Sequence, residues 1–467
     1  MKQKCHSGFL RSAVIIAAIA SVICYLIAPV DYSLSYTTAC LVIFLISSIA
    51  LLLNNCRQSF IKFEFFFLLA CFFTFYSYPV FLYSINPNFS LFALNFNKDY
   101  ICRGTALSTM GLAFFNIGIF NKELIIQSTK DVCDFCLLNR KLSPPNKLLF
   151  YGLMALFIPY MVNLWKVGEY NTAFESSFIN CILVFLVYYY LYTAFANNRL
   201  TGANTSLKII FSFQFILVLF YTFLFLAIGS RTIPLRVVFC LLFLFDSFIR
   251  PFRKIETLLI AVTGAFVLTF VGIIREGSVF EFGSLTSILD LGKDLTINNR
   301  SLYVIMDYVE DNGISFGRTM LLYVLSAVPF AQSTFMKLTG FSAERLDSAS
   351  LVTFLEYGMD DPDRIGLGTN VIGDIYLAFG SVGVIVLMYI LGRLLTYLCT
   401  KFKEGDLMCG ILYMLFFMDA IYLPRSGYLL GVRPLVWCYV IYIICNPKKS
   451  IPQHEGLEDP GLGHNNV

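Results

Sequence analysis

Several ionisable residues lie at the ends of long apolar stretches, where a charge needs a physical reason to be present. These residues are Arg231, Arg275, Glu276, Asp374, Arg425 and Arg433. A charged side chain at the centre of a spanning helix costs about 2.5–3.5 kcal/mol on insertion scales. Each one is a snorkelling anchor, a packing ion pair or part of a site. Because the topology derived below puts all six on one side of the membrane, we favour a site.

The arginines have the chemistry needed to bind a phosphate or diphosphate. Arg231 and Arg425 stand at the starts of predicted helices, whose first turns carry partial positive charge and free N–H groups. Arg433 follows Arg425 by eight residues, a rotation of about 80° on a helix, so both could border one cavity. We predict these three as diphosphate ligands. Weaker candidates from a long loop are Arg275, Arg318 and Arg364.

A general base on the same side must be a carboxylate or a tyrosine. The three histidines, His6, His454 and His464, all lie near the predicted inner termini, so none can accept a proton on the opposite side. Asp374 and Glu276 are therefore the candidate bases. A carboxylate in a first helical turn is also favourable to the helix dipole, which leaves a purely structural role for Asp374 open.

Two short motifs give weaker evidence for a functional site. Asp360 to Arg364 contain a DxD string, which is open to interpretation as a turn, a sugar-binding site or a metal site; we favour the turn and predict no metal. Cys133 and Cys136 form a lone CxxC pair without a nearby histidine, which indicates reduced thiols. The 14 cysteines predict no disulfide framework.

The composition places these residues in a membrane protein. Of 467 residues, 58% are apolar and 14% are charged, with a mean hydropathy of +0.73, whereas a soluble chain carries about 25% charge. These values exclude a cytosolic enzyme, a secreted domain and a DNA-binding protein. The net charge of +4 is too small to indicate a nucleic-acid partner.

Apolar stretches of about 20 residues predict twelve membrane-spanning helices. They cover residues 12–29, 37–53, 64–83, 104–120, 148–165, 178–196, 207–228, 233–249, 255–274, 370–395, 407–423 and 428–445. Twenty Lys and Arg residues fall on one side of this arrangement, against seven in the short connections of the other. Since positive residues accumulate on the cytoplasmic side, both termini are predicted to be cytoplasmic.

The predicted fold class is an all-α polytopic membrane protein with one long outer loop. Its parts are helices 1–9 in residues 1–274, the loop in 275–369, helices 10–12 in 370–445 and a disordered cytoplasmic tail in 446–467. Apolar residues at helical spacing around Leu302 and Leu351 predict two amphipathic loop helices on the outer face of the membrane. Residues 319–330 are too short for a span, so we expect a re-entrant or interfacial helix.

The string Gly373 to Val384 (GDIYLAFGSVGV), with Gly392 further on, resembles the O-antigen polymerases of the Wzy type. Gly229-Ser230-Arg231 after an apolar helix is similar to the arginine of that family at the same point. The resemblance implies a membrane glycosyltransferase of GT-C-like architecture that needs no cofactor. It also implies substrate contacts for Arg231 and for the region of Asp374 and Tyr376.

The same resemblance implies an activity, a location and partners. The enzyme would join undecaprenyl-diphosphate-linked oligosaccharide units of O-antigen or a related surface polysaccharide at the outer face of the bacterial inner membrane. It would move the growing glycan to the non-reducing end of the next lipid-linked unit. A polysaccharide co-polymerase that regulates chain length is the implied protein partner, beside the lipid bilayer.

Other classes of membrane protein remain alternatives. The main one is a flippase for lipid-linked oligosaccharide, although flippases usually have short loops and charges along the middle of their helices. An O-antigen ligase uses an outer-loop histidine, and an acyltransferase of this pathway usually needs an intramembrane histidine; the sequence has neither. A membrane scaffold without catalytic activity is the remaining alternative.

Overall fold

The computed structural model describes most of the chain as helix. The described residues are 2–56, 59–85, 96–120, 142–145, 147–167, 178–200, 212–227, 230, 232–260, 262–264, 285–358 and 366–446. Three predicted features lie outside the described residues. They are the Cys133–Cys136 pair, the DxD string and all but the first residue of the predicted tail.

Besides the partly described helix at residues 254–260 and 262–264, fifteen α-helices lie in these ranges. They are α1 Lys2–Leu26, α2 Leu34–Asn55, α3 Phe63–Tyr76, α4 Tyr100–Ile119, α5 Lys147–Val167, α6 Phe178–Leu200, α7 Phe213–Ala227, α8 Thr232–Phe248, α9 Leu285–Asn312, α10 Leu321–Leu325, α11 Ala331–Thr339, α12 Ser348–Tyr357, α13 Val371–Lys403, α14 Leu407–Met418 and α15 Val432–Cys445. A π-helical turn, Ser77–Leu82, extends α3. Three 3₁₀ turns are Arg318–Met320, Ala343–Arg345 and Leu423–Arg425.

The predicted fold class is confirmed: the protein is an all-α polytopic membrane protein. Five helices in the described ranges, α1, α2, α3 with its π turn, α6 and α13, are long and apolar enough to cross a bilayer, and shorter apolar helices accompany them. Eleven of the twelve predicted spans coincide with described helices. The ninth, 255–274, is described in part, and residues 254–260 and 262–264 are helical.

Polar contacts join helix ends that the alternating topology puts on the same side. The Ser59 hydroxyl donates to Asp246 Oδ1 at 2.8 Å, which links the start of α3 to the end of α8. At the same level, the Leu142 N–H donates to Asn197 Oδ1 of α6 at 2.9 Å. These contacts support the relative order of the spans, while the cytoplasmic assignment of the termini stays a prediction.

Glycines allow α4 and α13 to pack closely. Gly104, Gly111 and Gly118 are seven residues apart on α4 and therefore share one face of the helix. A Cβ at Gly104 would meet the Tyr303 ring of α9 at 2.7 Å, and a Cβ at Gly111 would meet Ile372 of α13 at 2.7 Å. Small residues at such crossings let helix backbones approach, which is how spanning helices associate in lipid.

Two of the spanning helices that the structure describes are broken, and the long loop repairs both breaks. Pro79 has no N–H, so the carbonyl of Phe75 loses its helical donor; the Asn299 side chain of α9 donates to it at 3.3 Å. In α13, Gly380 has φ 69° and interrupts the helix. The carbonyls of the preceding turn accept loop N–H groups instead, Leu377 from Ser315 at 2.8 Å and Ala378 from Gly317 at 3.3 Å.

Helices α9 and α12 lie at the positions of the two predicted amphipathic loop helices, and their apolar faces contact protein. Leu302 and Met306 of α9 are buried in the main core between the spanning helices. Ile305 of α9 packs with Leu351 and Val352 of α12 in a second cluster. Burial against α3, α4 and α13 therefore replaces the predicted position on the lipid surface. Spacing alone predicts an apolar face, not the partner that covers it.

Residues 319–330 do not form a spanning helix. They contain the end of a 3₁₀ turn and α10, which has five residues and is therefore about 7.5 Å long. Phe316 and Phe330, on either side, have φ values of 51° and 61°. A left-handed conformation of such a bulky residue costs on the order of 1–3 kcal/mol.

The crossing of α4 and α13 predicts that Gly392→Ala destabilises the protein. The new Cβ would lie 2.5 Å from Phe115 O and 2.9 Å from Ile119 N, both backbone atoms of α4, so the helices must separate. We expect a loss of about 1–3 kcal/mol, measured as a lower midpoint of thermal unfolding in detergent.

Gly152→Ala in α5 is the matched control, because a Cβ there meets nothing within 4 Å. It should leave the midpoint unchanged or raise it, since alanine favours helix over glycine by about 1 kcal/mol. Equal midpoints for the two variants would contradict close packing at Gly392.

Candidate functional site

A cavity of about 420 Å³ lies where α8, α9, the segment before α13 and the turn before α15 meet. The residues that line it come from four segments of the chain. They are Thr232, Arg236, Ile297, Asn298, Gly366, Leu367, Gly368, Tyr422, Arg425, Ser426 and Leu430. Thr232 is the first residue of α8, so the N-terminal end of that helix, with its partial positive charge, faces the cavity. The predicted topology puts this cavity on the outer side.

Two arginines share one aromatic ring in this cavity. The Arg236 guanidinium lies 5.6 Å from the centre of the Tyr422 ring, and the Arg425 guanidinium lies 5.8 Å from it. Arg236 also donates from Nε to Asp419 Oδ1 at 2.6 Å. Cations over an aromatic face are attracted by its quadrupole. The ring and the carboxylate therefore hold positive charge at the cavity wall.

The Arg236–Asp419 pair was missed in the sequence analysis, although the sequence contains a signal for it. Arg236 follows Thr-Ile-Pro-Leu in an apolar helix, and Asp419 follows Leu-Phe-Phe-Met at the end of another. Opposite charges inside two predicted spans are expected to find each other because neither is tolerated alone. The predicted site residues lie at helix ends, whereas this pair lies inside two spans.

A hydrogen-bond network of amides forms one side of the cavity. The Asn298 side chain donates to the carbonyls of Thr369 at 2.9 Å and Leu367 at 3.4 Å. The Asn370 side chain donates to Asn298 O at 2.7 Å, and its Oδ1 accepts the Gly373 N–H at 2.7 Å, which caps α13. This network fixes the start of α13 against α9.

Asp374 is fully buried and does not line the cavity. Its Oδ1 accepts the Ser348 hydroxyl at 2.6 Å, and its Oδ2 accepts the Tyr428 N–H at 2.8 Å. The carboxylate thereby ties α12 and the turn that carries Arg425 to the first turn of α13. In this conformation Asp374 positions the cavity wall; its role as a base stays a prediction.

The other predicted site residues have different positions. Arg425 lines the cavity, whereas Arg433, half-buried in the first turn of α15, is not among the lining residues. Arg318 is exposed at the start of the 3₁₀ turn. Tyr376 lies on another side of α13, close to Tyr25 and Arg103. Outside the described residues lie Arg231, Arg275, Glu276 and Arg364.

The cavity has the chemistry of an anion site. Arg236 and Arg425 bring two guanidinium groups to one wall, and guanidinium groups suit the oxygens of a phosphate or diphosphate. Among the residues described, no group of three or more His, Cys, Asp or Glu side chains could hold a metal ion.

The buried ion pair predicts a strong effect of Asp419→Leu on stability. Removal of the carboxylate leaves the Arg236 guanidinium uncompensated in an apolar surrounding. We expect a loss of about 3 kcal/mol, at the low end for buried pairs, because Arg236 keeps 24% of its side chain exposed. Thermal unfolding in detergent measures it, and the double variant Arg236→Leu/Asp419→Leu should recover most of the loss.

Glu404→Ala provides the control for this prediction. The Lys401–Glu404 pair has the same N···O distance, 2.6 Å, but 41% and 45% of its side chains are exposed, so its removal should not change the midpoint measurably. A double variant no more stable than Asp419→Leu would show that the loss comes from packing and not from the unpaired charge.

The comparisons with known proteins identify one family. A family model for the O-antigen polysaccharide polymerase Wzy matches residues 10–446, nearly the whole chain. Neither the search of curated proteins nor the search of solved structures finds a match. The match confirms the resemblance found in the Gly373–Val384 string, and the chain belongs to the O-antigen polysaccharide polymerase Wzy family.

Proposed function

We propose that this protein polymerises undecaprenyl-diphosphate-linked oligosaccharide units of O-antigen or a related surface polysaccharide. It transfers the growing glycan to the non-reducing end of the next lipid-linked unit. The observation that carries the proposal is the cavity with Arg236 and Arg425 at its wall in a chain of the Wzy family.

The two cavity arginines bind the diphosphate of the donor. Both contact the ring of Tyr422, so their guanidinium groups converge on one region of the wall. Fixed guanidinium groups form charge-assisted, often bidentate hydrogen bonds with phosphate oxygens. They stabilise the negative charge that develops on the leaving diphosphate without reorganisation during the reaction. Arg231 and Arg433 remain proposed ligands of the same group, with Arg275, Arg318 and Arg364 as weaker ones, and Tyr376 remains a proposed substrate contact.

The transfer needs no nucleotide because the diphosphate is already the leaving group. A hydroxyl oxygen of the acceptor sugar forms a bond to the anomeric carbon of the donor. The bond from that carbon to the diphosphate oxygen breaks, and its electron pair stays on the diphosphate. The hydroxyl proton passes to a carboxylate, for which Asp374 and Glu276 are the candidates. For Asp374 this requires that the Ser348 or Tyr428 hydrogen bond opens to the acceptor.

The location follows from the chemistry of the lipid carrier and the distribution of charge. We place the protein in the bacterial inner membrane with both termini in the cytoplasm and the cavity on the outer side. The asymmetry of Lys and Arg supports this orientation. Lipid-linked glycans are the substrates, and a chain-length regulator of the polysaccharide co-polymerase type is the proposed partner.

Arg425→Ala should abolish polymer formation, and so should Arg236→Leu/Asp419→Leu, the double variant that removes the guanidinium without leaving an unpaired carboxylate. Loss of a fixed donor to a developing anion costs a factor of about 10²–10³ in rate. The variants are expressed in a deletion strain of the source bacterium, and the polysaccharide is separated on a glycolipid gel. Arg393→Ala is the control, because this exposed arginine lies in the half of α13 away from the cavity; it should retain full-length polymer.

The deletion strain itself distinguishes polymerase from flippase. A band of lipid core plus one repeat unit means that units are made, moved across the membrane and attached but not joined. Complete absence of attached units would contradict the polymerase and favour a flippase or a ligase. Normal polymer in both cavity variants, at wild-type protein level, would contradict the diphosphate assignment alone.

Chelation should leave the purified enzyme active. The proposed reaction uses arginines where other enzymes use a metal ion, and the Asp361–Asp363 string is interpreted as a turn. Polymerisation of lipid-linked units is measured with and without EDTA. A loss of activity that Mg²⁺ or Mn²⁺ restores would assign a metal site to that string and contradict the turn.

A further inference from the structure

Residues 316–340, here called the interfacial segment, expose large apolar side chains. Phe316 is 80% exposed, Phe330 84% and Leu338 82%. The segment has 25 residues with two basic side chains, Arg318 and Lys337, and no acidic one. Apolar anchors combined with basic residues are typical of chain that lies in a membrane interface, where anionic headgroups attract the positive charge.

The depth of the segment can be read from α13. Lys401 and Lys403 mark one end of that helix, and about 20 helical residues, or 30 Å, cross the hydrocarbon layer. Counting back about 20 residues from Lys401 reaches Gly380, where the helix is broken. Exposed apolar residues on α13 begin next to this break, at Phe379 and Val382, whereas residues 371–375 are buried. The break therefore lies at the boundary between the hydrocarbon and the headgroups.

Two contacts fix the interfacial segment at this boundary. The N–H groups of Ser315 and Gly317, on either side of Phe316, donate to carbonyls at the α13 break. Further along, the indole N–H of Trp437 in α15 donates to Ala327 O at 2.9 Å. Val436 of α15 is exposed beside this tryptophan. The segment is thus continuous with the lipid-facing surfaces of two spanning helices.

Two residues of the interfacial segment have an unusual backbone conformation. Phe316 and Phe330 both have positive φ, which L-residues with large side chains rarely adopt. In each case the left-handed turn directs a phenyl ring away from the protein, where it is almost fully exposed. In water such a conformation gains nothing from burial, whereas in acyl chains the ring is transferred to an apolar surrounding.

We propose that the interfacial segment docks into the lipid leaflet on the cavity side, with Phe316 and Phe330 as its anchors. The occupant of this surface is lipid and not a protein partner. The segment also holds the cavity at the bilayer surface, because the Tyr323 ring packs against Gly427, two residues after Arg425. On the proposed function, the lipid-linked diphosphate then reaches Arg425 laterally from the membrane.

Photocrosslinking of the full-length protein tests the docking. Phe316 and Phe330 are replaced individually by p-benzoylphenylalanine, a conservative change for phenylalanine, in vesicles of phosphatidylethanolamine and phosphatidylglycerol. After irradiation, mass spectrometry identifies the adducts. The same residue at Val382 is the lipid-facing reference, and at Asp311, which is exposed and polar, it is the reference for water.

Lipid adducts at Phe316 and Phe330 within about twofold of the Val382 yield are expected. Yields as low as at Asp311, or adducts mainly to a second copy of this chain or to another protein, would overturn the proposal. Replacement at Leu338 gives an independent site if either phenylalanine variant fails to fold. Because crosslinking needs no turnover, lipid adducts on a protein without polymerase activity would retain this inference and contradict only the proposed function.

Discussion

Hydrocarbon offers no hydrogen bonds, and this constraint organises the whole protein. A spanning helix satisfies its own backbone, so any break in one must be repaired by other groups. Pro79 and Gly380 break α3 and α13 near the ends predicted to be outer, and both repairs come from the loop between the ninth and tenth predicted spans. The loop is therefore part of the helical core and not an appendage, because the broken helices depend on it for their backbone hydrogen bonds.

The same constraint explains why the cavity lies where it does. Charged and amide side chains are tolerated where a break or a helix end already brings polar backbone together. Asn298 and Asn370 bond to carbonyls and an N–H at the start of α13. Asp374, one turn further, takes its two hydrogen bonds from distant segments. The proposed diphosphate ligands Arg236 and Arg425 lie beside this network.

The sequence predicted the spans well because hydrophobic length is a local property. Eleven predicted spans coincide with described helices, and even α15, with 14 residues, was found from its apolar run. Partners across the fold were not predictable in this way. Asp374 was correctly singled out as a buried charge that needs an explanation, but Ser348 and Tyr428, 26 and 54 residues away, could not be inferred from spacing. Charge and topology predicted that Arg425 and Arg433 border one cavity, and only Arg425 lines the cavity described here. To find Arg236, its charge must be paired with that of Asp419 in another predicted span.

The break at Gly380 also gives the protein a fixed hydrophobic thickness. An uninterrupted helix of 33 residues could slide or tilt to suit bilayers of different depth, as long apolar helices usually do. Here the loop hydrogen bonds at Leu377 and Ala378 anchor one level of α13, and the lysines at its other end anchor the second. A membrane of another thickness must therefore deform around the protein. The lipid composition of the bilayer sets this thickness, and it thereby changes the force that the bilayer exerts on the helix that carries Asp374.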